Sequence, residues 1–164
     1  MEIEVVTGDI VKAQVEVLVT AANAALIGGG GVDGAIHRAA GPELLQALRS
    51  LAPCQIGGAV ITLAFEIPAP VRFIVHAVGP RYGRDEPAAE LLADAYAESL
   101  ARCDEVGATS IAFPALSTGA YGYPLSEACR ISVAALKATH TRVERCVLVA
   151  YDSNSQQWWQ RALA

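Results

Sequence analysis

No apolar run in this 164-residue chain approaches the roughly 18 to 20 residues that a helix needs to cross a bilayer. Apolar residues come in short pieces broken by glycine, proline or charge, which excludes a helical membrane protein. The opening MEIEVVTGDI has neither the basic start nor the apolar stretch of a secretory signal. Cations are also few: 12 Lys and Arg stand against 17 Asp and Glu, for a net charge of −5. They are scattered, whereas binding a nucleic-acid backbone draws on clustered Lys and Arg. Nucleic acid as the main partner is thereby excluded, and a cytoplasmic protein with no membrane partner is expected. The four cysteines (Cys54, Cys103, Cys129 and Cys146) form no C-x-x-C pair. That spacing argues against a zinc site or a disulfide framework and for buried, reduced thiols. Cys54, within LAPCQIGGA, is expected in an exposed turn. No group of Cys, His and carboxylate residues has metal-ligand spacing, so neither a metal nor a cofactor is expected.

What is present is abundant apolar material, 53% against 18% charged, enough for a real core and too much for disorder. Strand-like and helix-like segments alternate from end to end. Strands are predicted at 3–8, 15–22, 59–67, 72–79, 110–116 and 145–151. Most are nearly continuous apolar runs, as expected when both faces of a sheet are covered. Helices are predicted at 87–106, 124–139 and 153–164. A shorter one at 33–40 is closed by Gly41-Pro42, with 42–51 as its continuation. No linker or repeat divides the chain. The expected architecture is α/β: a single three-layer α/β/α domain over residues 1–164, around a central mixed, mostly parallel sheet. Ligands of such folds sit beyond the carboxyl ends of the strands.

Two glycine-bearing turns follow strands. The first contains Gly28-Gly29-Gly30-Gly31; the second is LSTGAYGYP, Leu116 to Pro124. Glycine permits close ligand approach, and the amides opening a helix carry partial positive charge, so the pair suits a diphosphate. A dinucleotide fingerprint fails here: no acidic residue lies at the offset of about 20 that a ribose contact needs. A triphosphatase loop fails too, because no Gly-Lys-Ser/Thr follows either turn. Asp33 is unexpected in a phosphate loop. Its simplest explanation is a helix N-cap. Its company suggests more, since Asn23 ends the preceding strand and His37 lies one helical turn on. Carboxylate, carboxamide and imidazole around one loop suit hydroxyl binding and water activation. His76 and His140 are expected to be structural.

These residues resemble the macrodomains, and specifically the MacroD-type O-acetyl-ADP-ribose deacetylases and ADP-ribosyl hydrolases. The resemblance rests on GDI (8–10), AAN (21–23), GGGGVDGAIHRAAGPEL (28–44), HAVGP (76–80), AFPALSTGAYGYP (112–124) and AYD (150–152). It runs in order across essentially the whole chain. It implies ADP-ribose as ligand, with Asp9 on the adenine amino group, the Ile10 backbone beside it and Tyr151 packed nearby. Ser117, Thr118, Gly119, Ala120, Tyr121 and Gly122 would wrap the diphosphate, with Tyr121 over the distal ribose. Gly30, Gly31 and Val32 would form the opposite wall, with His37 close by. Asn23 would hold a distal ribose hydroxyl, and Asp33 would position or deprotonate a water. The implied reaction is hydrolysis of O-acetyl-ADP-ribose, of mono-ADP-ribose esters on Asp or Glu side chains, or of both. Asn23 and Asp33 are the catalytic candidates, and the chain is expected to act as a monomer. The competing reading is a non-catalytic ADP-ribose reader, in which Asp33 is only a cap. One departure stands out: where the family usually has Asn-Ala-Ala-Asn, this chain reads Thr20-Ala21-Ala22-Asn23. Thr20 can still hydrogen-bond, and altered support of the loop is the expected consequence.

Overall fold

The computed structural model describes residues 1–164. Its strands are β1 (Glu2–Thr7), β2 (Val17–Ala21), β3 (Ala59–Leu63), β4 (Phe73–Ala77), β5 (Ser110–Phe113) and β6 (Arg145–Ala150). Five helices accompany them: α1 (Gly31–Ala40), α2 (Glu43–Arg49), α3 (Ala88–Val106), α4 (Leu125–Ala138) and α5 (Ser153–Leu163). A short 3-10 turn at Ile10–Lys12 follows β1. The strands form one six-stranded sheet in the order β1-β6-β5-β2-β4-β3. All neighbours are parallel except the β3–β4 pair.

Alternate residues of each strand serve opposite faces. Leu18, Ile74, Ala112 and Val147 pack with Ile36, Leu44 and Leu48 of α1 and α2. On the other face Val17, Val75, Ile111 and Leu148 meet Leu92, Tyr96 and Leu100 of α3, Val133 of α4 and Trp159 of α5. The predicted three-layer arrangement is therefore the observed one. No helix is long and apolar enough to cross a membrane.

Several boundaries move for identifiable reasons. The predicted 110–116 strand stops at Phe113, because Pro114 lacks the amide a central strand requires. The 59–67 strand stops at Leu63, before Phe65 enters the left-handed region at φ 49°. Helix α1 begins at Gly31 rather than Asp33, and α2 is a separate helix, because Gly41 sits at φ 88° between them. Cys54 is buried at 6% exposure, contrary to the expected exposed turn. Its amide donates to the carbonyl of Ala24, which pins residues 52–55 under the loop that follows β2.

The connections fix where a ligand can sit. After β2 the chain passes to α1 on one face; after β5, the neighbouring strand, it passes to α4 on the other. A crevice opens where adjacent strands send their chains to opposite sides. Both glycine turns lie at this switch point.

Candidate active site

Asp33 occupies the third position of α1, not its cap. Gly30 is the N-cap and has no side chain to accept from the first amides. Glycine is needed just after it, because Gly31 adopts φ 57°. The Asp33 carboxylate, 4% exposed, instead accepts a 2.8 Å hydrogen bond from the Thr20 hydroxyl on β2. Thr20 is fully buried and thus holds the carboxylate against the sheet edge. Burial pushes the Asp33 pKa up, while the Thr20 bond and the neighbouring His37 pull it partly back. The result is a carboxylate of raised basicity at the foot of a glycine loop.

Asn23 braces the same loop. Its Nδ2 donates to the Gly28 carbonyl at 2.8 Å, and its Oδ1 accepts from the Ile27 amide at 3.2 Å. One N–H and one lone pair of the carboxamide remain for a ligand. The ring of His37, one turn after Asp33, lies with Nε2 3.6 Å from the Asp33 Oδ1, too far for a hydrogen bond. Gly29, Gly30 and Gly31 face solvent, with Val32 half-buried behind them. The amides that open α1 find no carbonyl within the helix.

The second turn follows the neighbouring strand, β5. Ser117 adopts φ 67°, a costly conformation for a residue with a Cβ. The turn closes through Tyr123 N–H donating to the Ser117 carbonyl (2.9 Å) and Gly122 N–H to Gly119 (3.0 Å). The amides of Gly119, Ala120 and Tyr121 donate to no backbone acceptor, which leaves a nest of N–H groups for an anion. Thr118 turns its hydroxyl inward, onto the Ala115 carbonyl. Tyr121 is half-buried.

At the far end of the same edge, Asp9 follows β1 and caps the 3-10 turn by accepting from the Val11 amide at 3.0 Å. Ile10 is buried beneath it. Tyr151 follows β6 and is 88% exposed, free to lie along a ligand. The strand order β1, β6, β5, β2 therefore strings Asp9, Tyr151, Ser117–Gly122 and Asn23–Asp33 along one line. Three strand spacings make this line about 14 Å long.

Residues that local sequence patterns passed over also shape the site. The hydroxyl of buried Tyr96 on α3 donates to the Pro114 carbonyl at 3.2 Å and accepts from the Leu116 amide at 3.1 Å. It clamps the root of the second turn. The amide of Tyr82 donates to the Tyr121 carbonyl at 2.8 Å, and its ring packs on Tyr123 with centroids 4.9 Å apart. His76, fully buried on β4, is in register with Thr20 on β2. The fold brings it to Asp33 and His37, so that donor atoms of all three lie within 4.8 Å of one another. The sequence shows no group with metal-ligand spacing, and the fold assembles this one. Two of its members are an i, i+4 pair on α1 and the third comes from a different strand, so ligand spacing in the sequence could not show it. His140 stands exposed beyond the end of α4, away from this edge.

A switch-point crevice with two amide-lined turns defines the class of α/β proteins that take a phosphate-bearing ligand across their strand ends. Within that class the chain belongs to the macro domain family, whose profile matches residues 19–132. It is 48% identical to the O-acetyl-ADP-ribose deacetylase of Klebsiella pneumoniae (strain 342), over 98% of this chain and 95% of that protein. It is 46% identical to the O-acetyl-ADP-ribose deacetylase of Escherichia coli (strain K12), over 98% and 94%. Among solved structures it is similar to the Oceanobacillus iheyensis macrodomain with ADP, at TM-score 0.91 and 39% identity, covering 98% of this chain and 89% of that one. The Trypanosoma brucei macrodomain in complex with ADP-ribose aligns at TM-score 0.89 and 32% identity, covering 99% and 69%.

Proposed function

We propose that this protein is an ADP-ribose-binding hydrolase that deacetylates O-acetyl-ADP-ribose. With a water activated in the same place it also releases mono-ADP-ribose from Asp or Glu side chains. The observation that carries the reading is the Asp33 carboxylate, buried beside the first glycine turn and held by Thr20 rather than used as a helix cap. Capping does not explain it, since Gly30 is the N-cap, and burial raises its basicity, as suits a group that takes a proton from water. The deacetylase names of the relatives and the ADP-ribose complex of the Trypanosoma brucei macrodomain agree with this substrate class.

The roles follow the line of the sheet edge. Asp9 and Ile10 take the adenine, with Tyr151 against it. The Ser117–Gly122 turn cradles the diphosphate through its free Gly119, Ala120 and Tyr121 amides, and Tyr121 covers the distal ribose. Gly30, Gly31 and Val32 wall the other side, with the His37 imidazole behind them. Asn23 and Asp33 hold the distal ribose and a water. Asp33 takes a proton from that water as its oxygen attacks the acetyl carbon. The tetrahedral intermediate then collapses, the bond to the ribose oxygen breaks, and the proton passes from Asp33 to that oxygen. Acetate and ADP-ribose leave. With a protein ester, the water attacks the anomeric carbon and the side-chain carboxylate departs. No metal enters either route. The chain acts as a cytoplasmic monomer.

The deciding experiment incubates the protein with O-acetyl-ADP-ribose and, separately, with an aspartyl- or glutamyl-ADP-ribosylated protein. Released ADP-ribose is followed in each. Turnover of both is expected. Tight binding without release over hours would reduce the protein to a reader.

A further inference from the structure

We propose that Asp33, His37 and His76 form a binding site for a borderline-soft divalent cation of the zinc type, and that the cation silences the enzyme. The three side chains converge from α1 and β4, with donor atoms all within 4.8 Å of one another. The Asp33 Oδ1 to His37 Nε2 distance is 3.6 Å. Ligands on a tetrahedral zinc at bond lengths of 2.0–2.1 Å stand about 3.3 Å apart, so this pair is already near the required spacing. His37 is the least buried of the three, and a small rotation of its ring would close the remainder. Water completes the set, reached from the solvent-facing glycine turn.

His76 supplies the independent observation. Thr62 lies with its hydroxyl oxygen 3.0 Å from His76 Nε2, and that hydroxyl donates its single hydrogen to the Leu63 carbonyl. Nε2 must then carry the imidazole hydrogen, which leaves Nδ1 as a bare lone pair. Nδ1 is buried and has no hydrogen-bond partner, an arrangement that costs free energy in a protein interior. A cation accepts that lone pair. The surroundings also match what metal ligands require, since each is oriented by a second partner. Thr62 fixes the His76 tautomer and Thr20 fixes the Asp33 carboxylate. Two imidazoles and one carboxylate favour zinc-type ions over magnesium or calcium, which prefer all-oxygen sites.

A cation there would take the Asp33 carboxylate away from the water it activates. This inhibitory half rests on the hydrolase reading above; the binding half does not. The test titrates the metal-stripped full-length protein with cobalt(II) and, by calorimetry, with zinc. One ion per chain is expected, with the visible absorption of tetrahedral cobalt and without a thiolate-to-cobalt charge-transfer band. Magnesium should give no heat. His37→Gln and His76→Gln, each checked for folding by circular dichroism, should bind zinc at least about 10-fold more weakly. Failure of the wild type to bind, a thiolate band, or either folded variant binding zinc as tightly as wild type would overturn the site. In the activity arm, zinc should abolish hydrolysis of O-acetyl-ADP-ribose and a chelator should restore it. Stoichiometric zinc binding with undiminished turnover would leave the site standing and refute both the inhibition and Asp33 as base.

Discussion

The proposed chemistry rests on one buried carboxylate, Asp33, and its environment sets how it responds to pH. Burial raises its pKa above the ordinary carboxylate value, with partial relief from Thr20 and His37. With the ionised form as the proposed base, kcat/KM should fall on the acid side, with its midpoint higher than for an ordinary aspartate. Folding responds with the opposite sign. A carboxylate whose folded pKa is raised weakens the fold at neutral pH, and this penalty is lifted as pH drops through the folded pKa. Thr20→Val keeps the shape of the side chain and removes the hydrogen bond that lowers the Asp33 pKa. The acid limb of its pH–rate profile should therefore move to higher pH than in the wild type, while ADP-ribose affinity at neutral pH changes little. An unmoved limb would show that Thr20 does not tune the base. The Asp33 side chain was legible in the sequence as an anomaly, a charge among glycines, but its default role as a cap was wrong. The partner that replaces the cap interaction, Thr20, sits 13 positions earlier on a strand, and no local pattern connects the two.

At the scale of elements, the site depends on turns that are clamped from behind. Gly79, just beyond β4, lies against Ser117 so closely that an added Cβ would collide with the Ser117 hydroxyl oxygen. Ser117 is already in a left-handed conformation and has little room to yield. Gly79→Ala should therefore disturb the anion nest and weaken ADP-ribose binding by about 10-fold or more, with a smaller effect on turnover at saturation. Calorimetric titration with ADP-ribose checks this. Affinity equal to wild type would mean that the turn is not pre-set by this contact. The elements themselves could be read from hydrophobic periodicity and from Gly and Pro punctuation; α3, α4 and α5 match their predicted bounds within a residue or so. What periodicity could not show were the contacts that cross between elements. The Tyr96 hydroxyl bracing Pro114 and Leu116 joins residues 18 and 20 positions apart, and Tyr96 reads in sequence only as one more apolar residue of α3.

For the molecule as a whole, one sheet carries both apolar layers, so neither layer can unfold alone without stripping a face of every central strand. A single cooperative transition follows. Tryptophan fluorescence reports α5, where Trp159 is fully buried and donates to Ser132. Far-ultraviolet circular dichroism reports the chain, and the two should share one midpoint in urea. Separate midpoints would contradict the single-domain account. The same sheet lays out the cleft, with its ends about three strand spacings apart, and that dimension follows from strand order rather than from any motif. Asp33 is proposed to perform chemistry in this cleft rather than only to bind. The most direct test compares wild type and Asp33→Asn for turnover of O-acetyl-ADP-ribose and for ADP-ribose affinity. Asp33→Asn should lose about 10²- to 10⁴-fold in kcat, still bind ADP-ribose measurably, and be at least as stable as the wild type. Undiminished turnover by a folded Asp33→Asn protein would contradict this role.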